Sequence, residues 1–481
     1  MNALWQSGLW ITLTALACAT IVFGRTFDPT LLTHHQSALT QRSIDEYIKK
    51  EMVIAKAGVL ANIGPDGKRS SNAKASPSTD PDYLYTWTRD SSLVFKMLID
   101  QYTQGRDISL RETIDNFVAA ESYLQSVTNP SGNITTGGLA EPKFNINLTA
   151  FEGSWGRPQG DGPALRATAL ITYGNWLISA GRTGHVREYL LPAITNDLEY
   201  VADHWNQSTF DLWEEVQSSS FFTIAVQHRA LREGVSFAHR LGISPGIVNV
   251  KKYHTQAENA LRFLQTFWNP SKSYITSNTG GGRSGIDSNS ILATIHTFDP
   301  NAGCDAITFQ PCSDKALANL KVYVDSFRKI YTINAGIPEN EAVATGRYPE
   351  DVCIWVRKPA VAQQLYYALT TWKHQGFIEI TSVSLPFFQQ FSSSVDVGNY
   401  PIHTDTYKTL VASIQSFADG FIEINARYTP SDGSLAEQFD EETGEPLSAK
   451  DLTWSYASAV TALEARDGNV PVGWGGKEVC R

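Results

Sequence analysis

The sequence predicts an all-α fold in which the helices form a toroid and long loops build a cleft at one end. Apolar residues recur at helical spacing in ten stretches, whereas the alternation typical of strands is scarce. About a dozen helices are too many for a simple bundle, and the segments between them run to roughly 10–30 residues. Loops of that length usually carry function, so we expect the cleft to lie among them.

The ten helical stretches follow one another along most of the chain. In each of them apolar side chains return every three or four residues, which gives a helix one buried face. They cover residues 43–64, 111–127, 162–181, 189–205, 221–242, 257–268, 314–331, 360–376, 406–424 and 447–465. Neither a linker rich in Ser, Thr and Pro nor an internal repeat separates them, so we interpret residues 43–481 as one large domain.

Charge and composition narrow the classes of partner. The 481 residues carry a formal net charge of −10 and no block of Lys or Arg, which argues against nucleic acid and against an anionic membrane surface. The chain also has 12 Trp, 19 Tyr and 22 Phe. Most of these belong to the core, but aromatic faces beside carboxylates are typical of a cleft that binds sugar. We therefore expect a neutral carbohydrate substrate and a monomer.

The N-terminus predicts export. An apolar run over residues 9–24 is too short to span a bilayer comfortably, so we interpret residues 1–24 as a secretory signal, with cleavage after Ala19 or Gly24. An uncleaved anchor is the alternative. Three Asn-x-Ser/Thr triplets support a secreted, extracellular glycoprotein. Their acceptors are Asn133, Asn147 and Asn206.

Four cysteines lie beyond the signal segment. Cys304 and Cys312 are eight residues apart, which makes them the natural local pair for a disulfide in an oxidising compartment. Cys353 and Cys480 cannot be paired from the sequence alone. Free buried thiols are the alternative. Without a Cys-x-x-Cys motif or a His cluster, we expect no metal site and no cofactor.

Acidic residues cluster around a tryptophan in FDLWEEV, residues 210–216. On a helix, Asp211, Glu214 and Glu215 would share one face; they would equally suit the polar end of a loop or a solvated acidic turn. A further carboxylate, Glu437, lies in the glycine-containing segment DGSLAEQFD. Hydrolysis of a glycosidic bond needs such a pair, a protonated acid at the leaving oxygen and a carboxylate on the other side of the sugar.

Six long motifs carry a resemblance to a known family. They are ASPSTDPDYLYTWTRDSSLVFK (75–96), AEPKFNINLTAFEGSWGRPQGDGPALRATAL (140–170), DLWEEVQSSSFFTIAVQHRAL (211–231), HTFDPNAGCDAITFQPCS (296–313), GRYPED (346–351) and DGSLAEQFDEETGEPLSAKDLTWSYAS (432–458). From about residue 43 onwards the chain resembles the fungal glucoamylases of glycoside hydrolase family 15. The resemblance implies an (α/α)6 barrel and release of β-D-glucose, with inversion, from the non-reducing ends of starch and maltooligosaccharides.

The resemblance also implies roles for the acidic residues. Glu214 matches the general acid, which must still be protonated near the working pH, and Glu437 matches the general base that activates water. Asp211 matches a carboxylate placed to influence the acid. Because an inverting enzyme needs room for a water molecule between its two carboxyl groups, we expect Glu214 and Glu437 to lie about 6.5–9.5 Å apart.

Seven further residues match substrate contacts of the family. Arg89, Asp90 and Arg347 match ligands of the terminal glucose, and Glu215 matches a ligand on the leaving-group side. Tyr83 matches a phenol near the catalytic water. Trp87 and Trp155 match the aromatic walls of the pocket. An arginine next to an aspartate supplies a fixed fork of donors beside an acceptor, which suits sugar hydroxyls.

The chain departs from the family pattern at several positions. Gly160 stands where an arginine is usual, and Arg262 occupies the position of the cysteine that normally pairs with the C-terminal one, which leaves Cys480 without its usual partner. In residues Cys353–Pro359 the usual Asn-Pro-Trp stretch of the pocket is missing. Because a lost contact of this kind costs about one to two decades of rate, we expect a folded protein with weakened activity.

Two alternatives therefore stay open at this point. One is an activity-impaired paralogue that binds carbohydrate, owing to the altered segment, and the other is a toroid hydrolase that acts on a different glucan such as trehalose. The retained carboxylates Glu214 and Glu437 favour the enzyme. No starch-binding module follows the matched region, so we do not expect tight adsorption to raw granules.

Overall fold

The computed structural model describes residues 44–64, 72–243, 248–351 and 359–476. Within them are twelve helices of nine residues or more. In chain order these are α1 Ile44–Ala61, α2 Thr88–Thr103, α3 Arg111–Ser126, α4 Asp161–Ser179, α5 Leu191–His204, α6 Phe221–Leu241, α7 Val250–Leu264, α8 Ser288–His296, α9 Asp314–Phe327, α10 Ala360–Gln375, α11 Asp405–Tyr428 and α12 Thr453–Arg466. Shorter helical turns lie at Thr183–His185, Val186–Leu190 and Leu385–Gln389.

The even-numbered helices form a closed inner ring. Helix α2 packs against α4, α4 against α6, and so on through α8, α10 and α12, which returns to α2. Each odd-numbered helix packs outside an inner neighbour: α1 on α12, α3 on α2, α5 on α4, α7 on α6, α9 on α8 and α11 on α10. The predicted (α/α)6 barrel is therefore confirmed. Because every outer helix brings the chain back, the inner helices all begin at the same end of the ring.

Burial separates the two rings. In the outer helix α7 the buried residues are Tyr253, Ala257, Ala260 and Leu264, the spacing of a helix with one apolar face. In the inner helix α4, 15 of 19 residues are buried, because neighbours cover it on almost every side. The apolar side chains of both rings form one continuous core.

Two glycines let inner helices approach their neighbours closely. A β-carbon on Gly174 of α4 would lie 2.9 Å from the ring of Phe237 in α6. One on Gly234 of α6 would lie 2.5 Å from Leu198 Cδ1 in α5. Real β-carbon contacts are rarely so short, so these glycines fit the packing between α4, α5 and α6.

The ten predicted helices are present, with shifted ends, and two more were missed. The stretch predicted from residue 257 begins at Val250, and the one predicted from residue 447 begins at Thr453. Helix α2 was not predicted because polar residues of its first turn, among them Arg89, Ser91 and Ser92, are buried, so its buried side does not show as apolar in the sequence. Helix α8 is only nine residues long and eight of them are buried, so it shows no amphipathic pattern.

Five two-stranded antiparallel ribbons lie in the loops of the described part of the chain. They are β1 Tyr85–Trp87 with β2 Lys143–Asn145, β3 Thr209–Phe210 with β4 Gln217–Ser218, β5 Trp268–Asn269 with β6 Tyr274–Ile275, β7 Phe377–Ile380 with β8 Gly398–Pro401, and β9 Gln438–Phe439 with β10 Pro446–Leu447. Strand β1 leads directly into α2, and the turn between β3 and β4 precedes α6. The register of the first ribbon sets Trp87 opposite Lys143.

The predicted disulfide between Cys304 and Cys312 is present, in the loop between α8 and α9. The predicted glycosylation acceptors Asn133, Asn147 and Asn206 are all exposed, and their modification stays a prediction. Cys353, Cys480, the predicted signal at residues 1–24 and residues 353–358 of the divergent segment lie outside the described residues. Among the described helices, none combines the length and apolar character needed to cross a bilayer.

Candidate active site

A cavity of ≈ 490 Å³ opens at the end of the ring where the inner helices begin. Its lining comes from the segments that precede or start α2, α4, α6, α10 and α12. Nine of the ten predicted site residues line it: Tyr83, Trp87, Arg89, Asp90, Trp155, Glu214, Glu215, Arg347 and Glu437. The N-terminal end of a helix carries partial positive charge, so this end of the ring suits a group of carboxylates.

Asp211 is the tenth predicted residue, and it does not line the cavity. Its side chain is fully buried, and Oδ1 accepts hydrogen bonds from the backbone N–H groups of Glu215 (3.1 Å) and Val216 (3.2 Å). Asn278 Nδ2 donates to Oδ2 at 3.0 Å. Burial raises the pKa of Asp211 above its ordinary value, against the effect of these donors. Asp211 therefore shapes the turn between β3 and β4.

That turn presents Glu214 to the cavity. The acidic residues lie on a loop rather than on a helix, and Glu214 has a φ of +64°, in the left-handed region that non-glycine residues seldom adopt. The backbone N–H of Glu214 donates to the carbonyl of Asp211 at 2.9 Å, which closes the turn. Strain of this kind persists only where surrounding contacts hold it, and it is often found at functional sites.

Four donors surround the carboxylate of Glu214. Its Oε1 accepts from Trp87 Nε1 (3.0 Å), Gln159 Nε2 (2.9 Å) and Arg89 Nη2 (3.3 Å). Its Oε2 accepts from Trp155 Nε1 alone among the described residues, at 2.9 Å. Since three donors occupy Oε1, Oε2 is the oxygen that can carry a proton and present it to the cavity.

Glu437 projects into the same cavity from the segment before α12. Its Oε2 accepts a short hydrogen bond of 2.5 Å from Ser448 Oγ, and its Oε1 lies 3.3 Å from the hydroxyl of Tyr83. The ring of Tyr83 packs edge-on against Trp87, with 5.7 Å between centroids. Burial, followed by the charges of Glu437 and Glu214, raises the pKa of Tyr83, which keeps the phenol protonated as a donor.

We expect Ser448→Ala to weaken activity mainly at acidic pH. Without the Ser448 donor, the carboxylate of Glu437 takes up a proton more readily, so the acidic limb of kcat/KM should move up by about half a pH unit. The measurement is the pH profile on maltose, a substrate of the class that the resemblance implies. The exposed Ser431, replaced by Ala, is the matched control. An acidic limb that coincides with that of the unmodified enzyme would show that Ser448 does not act on Glu437.

Glu215 is held by a cluster of cations and a phenol. Arg347 Nη1 lies 2.8 Å from its Oε1, while Tyr348 Oη (2.7 Å) and Arg283 Nη2 (2.5 Å) donate to its Oε2. Burial opposes ionisation, but these partners outweigh it and hold the pKa of Glu215 below its ordinary value. Arg347 is fixed in turn by a bidentate pair with Asp351, at 2.6 and 2.8 Å.

The predicted Arg89 and Asp90 start helix α2. The Arg89 guanidinium is buried and donates to Gln159 and Asp161, each at 2.8 Å, as well as to Glu214. Its Nε makes no hydrogen bond within the described part of the chain and lies 3.9 Å from Asp90 Oδ2. Arg89 therefore braces Glu214, while the partly exposed Asp90 faces the cavity.

Comparison with known proteins identifies the family. The sequence pattern described as "Glycosyl hydrolases family 15" matches residues 53–464. The chain belongs to this family. It is 55% identical over 442 residues to Glucoamylase-1 of Schizophyllum commune, covering 90% of this chain and 76% of that protein. It is 50% identical over 451 residues to the glucoamylase of Neurospora crassa, covering 91% and 71%.

Solved structures agree with the family assignment. The glycoside hydrolase family 15 glucoamylase from Hypocrea jecorina superposes with a TM-score of 0.87 at 51% identity, over 90% of this chain and 74% of that one. The glucoamylase from Saccharomycopsis fibuligera gives 0.81 at 27% identity, over 89% and 96%. The resemblance to fungal glucoamylases is therefore confirmed, and the chain is a glycoside hydrolase.

Several residues of this site were not predicted from the sequence. They hold the predicted carboxylates or line the cavity: Gln159, Arg283, Tyr348, Ser448, Trp213 and Trp454. All but Arg283 fall inside the quoted motifs, so the motifs were the available signal. The departure at Gly160 lies at the start of α4, where an added β-carbon would approach Gln227 Nε2 to 2.9 Å.

Proposed function

We propose that this protein is a secreted, exo-acting glucoamylase. In this proposal it hydrolyses terminal α-1,4 bonds, and α-1,6 bonds more slowly, in starch and maltooligosaccharides, and it releases β-D-glucose with inversion. The observation that carries the proposal is a single cavity lined by both Glu214 and Glu437. Residues 43–481 would form the catalytic unit, after a signal at residues 1–24.

The contacts of Glu214 support its role as the general acid. A proton on Oε2 can pass to the glycosidic oxygen, so that the bond from this oxygen to the anomeric carbon breaks and the shortened glucan leaves as an alcohol. The resulting carboxylate is stabilised by the indole N–H groups of Trp87 and Trp155, by Gln159 and by Arg89. The negative charge that Glu214 carries after it donates its proton is therefore stabilised by donors that are already in place.

The contacts of Glu437 support its role as the general base. Its carboxylate takes a proton from a water molecule, whose oxygen attacks the anomeric carbon on the face opposite the leaving group and gives the β-anomer. Ser448 and Tyr83 each donate to this carboxylate and fix its orientation. Tyr83 also packs on Trp87, which donates to Glu214, so two packed aromatic rings connect the contacts of the two carboxylates. The predicted separation of about 6.5–9.5 Å stays a prediction.

The closed ring supports attack on chain ends. Inner helices such as α4 are buried over most of their length, and the buried apolar side chains of the described residues form one continuous core, so we expect a glucan to enter the cavity from its open end. A glucan would then enter only end-first. We propose that Arg89, Asp90 and Arg347 meet the terminal glucose and that Glu215 meets the leaving-group side.

The first product tests the proposal. Proton NMR of maltoheptaose hydrolysis should show β-glucose before α-glucose, because inversion of an α-bond gives the β-anomer and mutarotation follows slowly. Glucose and maltohexaose should be the only early products of an exo-acting enzyme. Early α-glucose would contradict inversion, and early maltotriose or maltotetraose would contradict exo-action.

The same assay separates the two alternatives. A toroid hydrolase for another glucan would release glucose from trehalose in preference to maltoheptaose. An activity-impaired paralogue, owing to the divergent segment at residues 353–359, would bind maltose in calorimetry without producing glucose. Retention of Glu214, Glu437 and their donors favours the enzyme over both.

A further inference from the structure

Lys143 places its ammonium group inside a cage of four aromatic rings. It lies on β2, opposite Trp87 of β1, and only 3% of the residue is exposed. The distances from Nζ to the ring centroids are 3.7 Å for Trp155, 4.0 Å for Tyr85, 4.4 Å for Phe151 and 4.7 Å for Trp87. A cation within about 6 Å of a ring centroid is attracted by the negative face of that ring.

The cage replaces the usual partners of a buried lysine. Within residues 44–64, 72–243, 248–351 and 359–476, Lys143 Nζ contacts these ring faces and makes no hydrogen bond and no ion pair. Buried ammonium groups are normally paired, because desolvation disfavours the charge. Burial lowers the pKa of Lys143 to about 8, Arg157 adds to this, and the carboxylates of Glu214 and Asp82 oppose it. Lys143 is therefore charged at acidic pH.

Two of the four rings connect Lys143 to the proposed general acid. The indoles of Trp87 and Trp155 meet the ammonium group with their ring faces, and they donate their N–H groups to Oε1 and Oε2 of Glu214. A cation on the face of an indole draws electron density from the ring and so polarises the N–H towards its acceptor. It also fixes both ring planes, and with them the direction of the N–H groups.

We propose that Lys143 is a positioning residue that acts through Trp87 and Trp155 to orient Glu214 and to favour its ionised form. This inference rests on the proposed function, in which Glu214 is the general acid. Among the described residues, the other charged or titratable groups that line the cavity with Glu214 are Tyr83, Arg89, Asp90, Glu215, Arg347 and Glu437. None of them contacts all of the caging rings.

The decisive variant is Lys143→Met, which keeps an unbranched side chain and removes the charge. Without the cation, Glu214 should hold its proton to higher pH, so the basic limb of kcat/KM should rise by about half a unit to one unit. The acidic limb, which reports Glu437, should stay within about 0.2 units of the parent. Lys143→Arg keeps the charge and should leave the basic limb near its original position.

The matched control is Lys251→Met, which removes one positive charge from the exposed face of α7. An active Lys143→Met enzyme with an unmoved basic limb would overturn the inference, and so would equal shifts of both limbs or an equal shift in Lys143→Arg. Failure of the proposed function would look different, because the unmodified protein would then release no glucose from maltoheptaose.

A second measurement does not depend on activity or on the folding of Lys143→Met. In protein labelled with 13C at lysine Cε, the Lys143 signal should be shifted upfield by the four rings and can be followed as the pH rises. Because coupling between two groups is reciprocal, Glu214→Gln should lower the pKa of Lys143. An unchanged titration of Lys143 in Glu214→Gln would overturn the proposed coupling.

Discussion

Replacement of Glu214 by Gln is expected to lower kcat on maltose by about 100- to 10,000-fold, the usual contribution of a general acid. The amide has nearly the same shape as the carboxyl group. It can keep its oxygen towards Trp87, Gln159 and Arg89, which donate to Oε1 of Glu214 in the unmodified protein. It cannot supply a proton to the glycosidic oxygen. Since the sugar contacts of the cavity are retained, KM should change little compared with kcat.

A substrate with a better leaving group separates loss of the acid from general damage. Fluoride leaves α-glucosyl fluoride with little need for protonation, so Glu214→Gln should lose far less activity on this substrate than on maltose. Glu152→Gln, an exposed change in the loop that carries Trp155, is the matched control. Near-normal turnover of maltose by Glu214→Gln, or equal losses on both substrates, would remove Glu214 from the role of acid.

Ten of the twelve described helices could be predicted from the sequence, four of them in the inner ring, whereas the inner helices α2 and α8 could not. Helix α7 has buried residues at one helical face, so its pattern predicted a helix although its start at Val250 was missed. Helix α8 is enclosed by neighbours, and in α2 the buried residues include Arg89, Ser91 and Ser92, so apolar character does not follow burial there. A helical period is visible in a sequence only when one side of the helix is apolar and the other polar. A helix whose two sides do not differ in this way shows no clear period.

The candidate site divides in a similar way. The motifs singled out Glu214 and Glu437, and both carboxylates lie on the cavity. The motifs could not show that Asp211 turns away from it to bind backbone N–H groups, because neighbours in sequence need not face the same side of a turn. The contact between Lys143 and Trp155 was also hidden, since the two residues meet only when the loop after β2 folds back.

Replacement of Glu437 by Gln should be as damaging as loss of the acid, but with a different signature. An amide cannot take the proton of the attacking water, so kcat should fall by about 100- to 10,000-fold on maltose and also on α-glucosyl fluoride, which still needs a nucleophile. In the unmodified protein Ser448 donates to Oε2 of Glu437, and the amide of the variant can turn its oxygen towards this donor. The loss should therefore appear in kcat and not in folding.

An external nucleophile tests the role of Glu437 as base. Azide is already an anion and needs no deprotonation, so it should partly restore turnover of α-glucosyl fluoride by Glu437→Gln and give β-glucosyl azide, with the same inversion that water undergoes. Azide should not restore Glu214→Gln on maltose, because that variant lacks a proton donor. The exposed Glu442→Gln, a few residues further along the same segment, is the matched control. Formation of α-glucosyl azide would contradict the role of Glu437 as base, because only a nucleophile that enters opposite the leaving group gives a β-product. Rescue of Glu214→Gln on maltose by azide would contradict the role of Glu214 as acid.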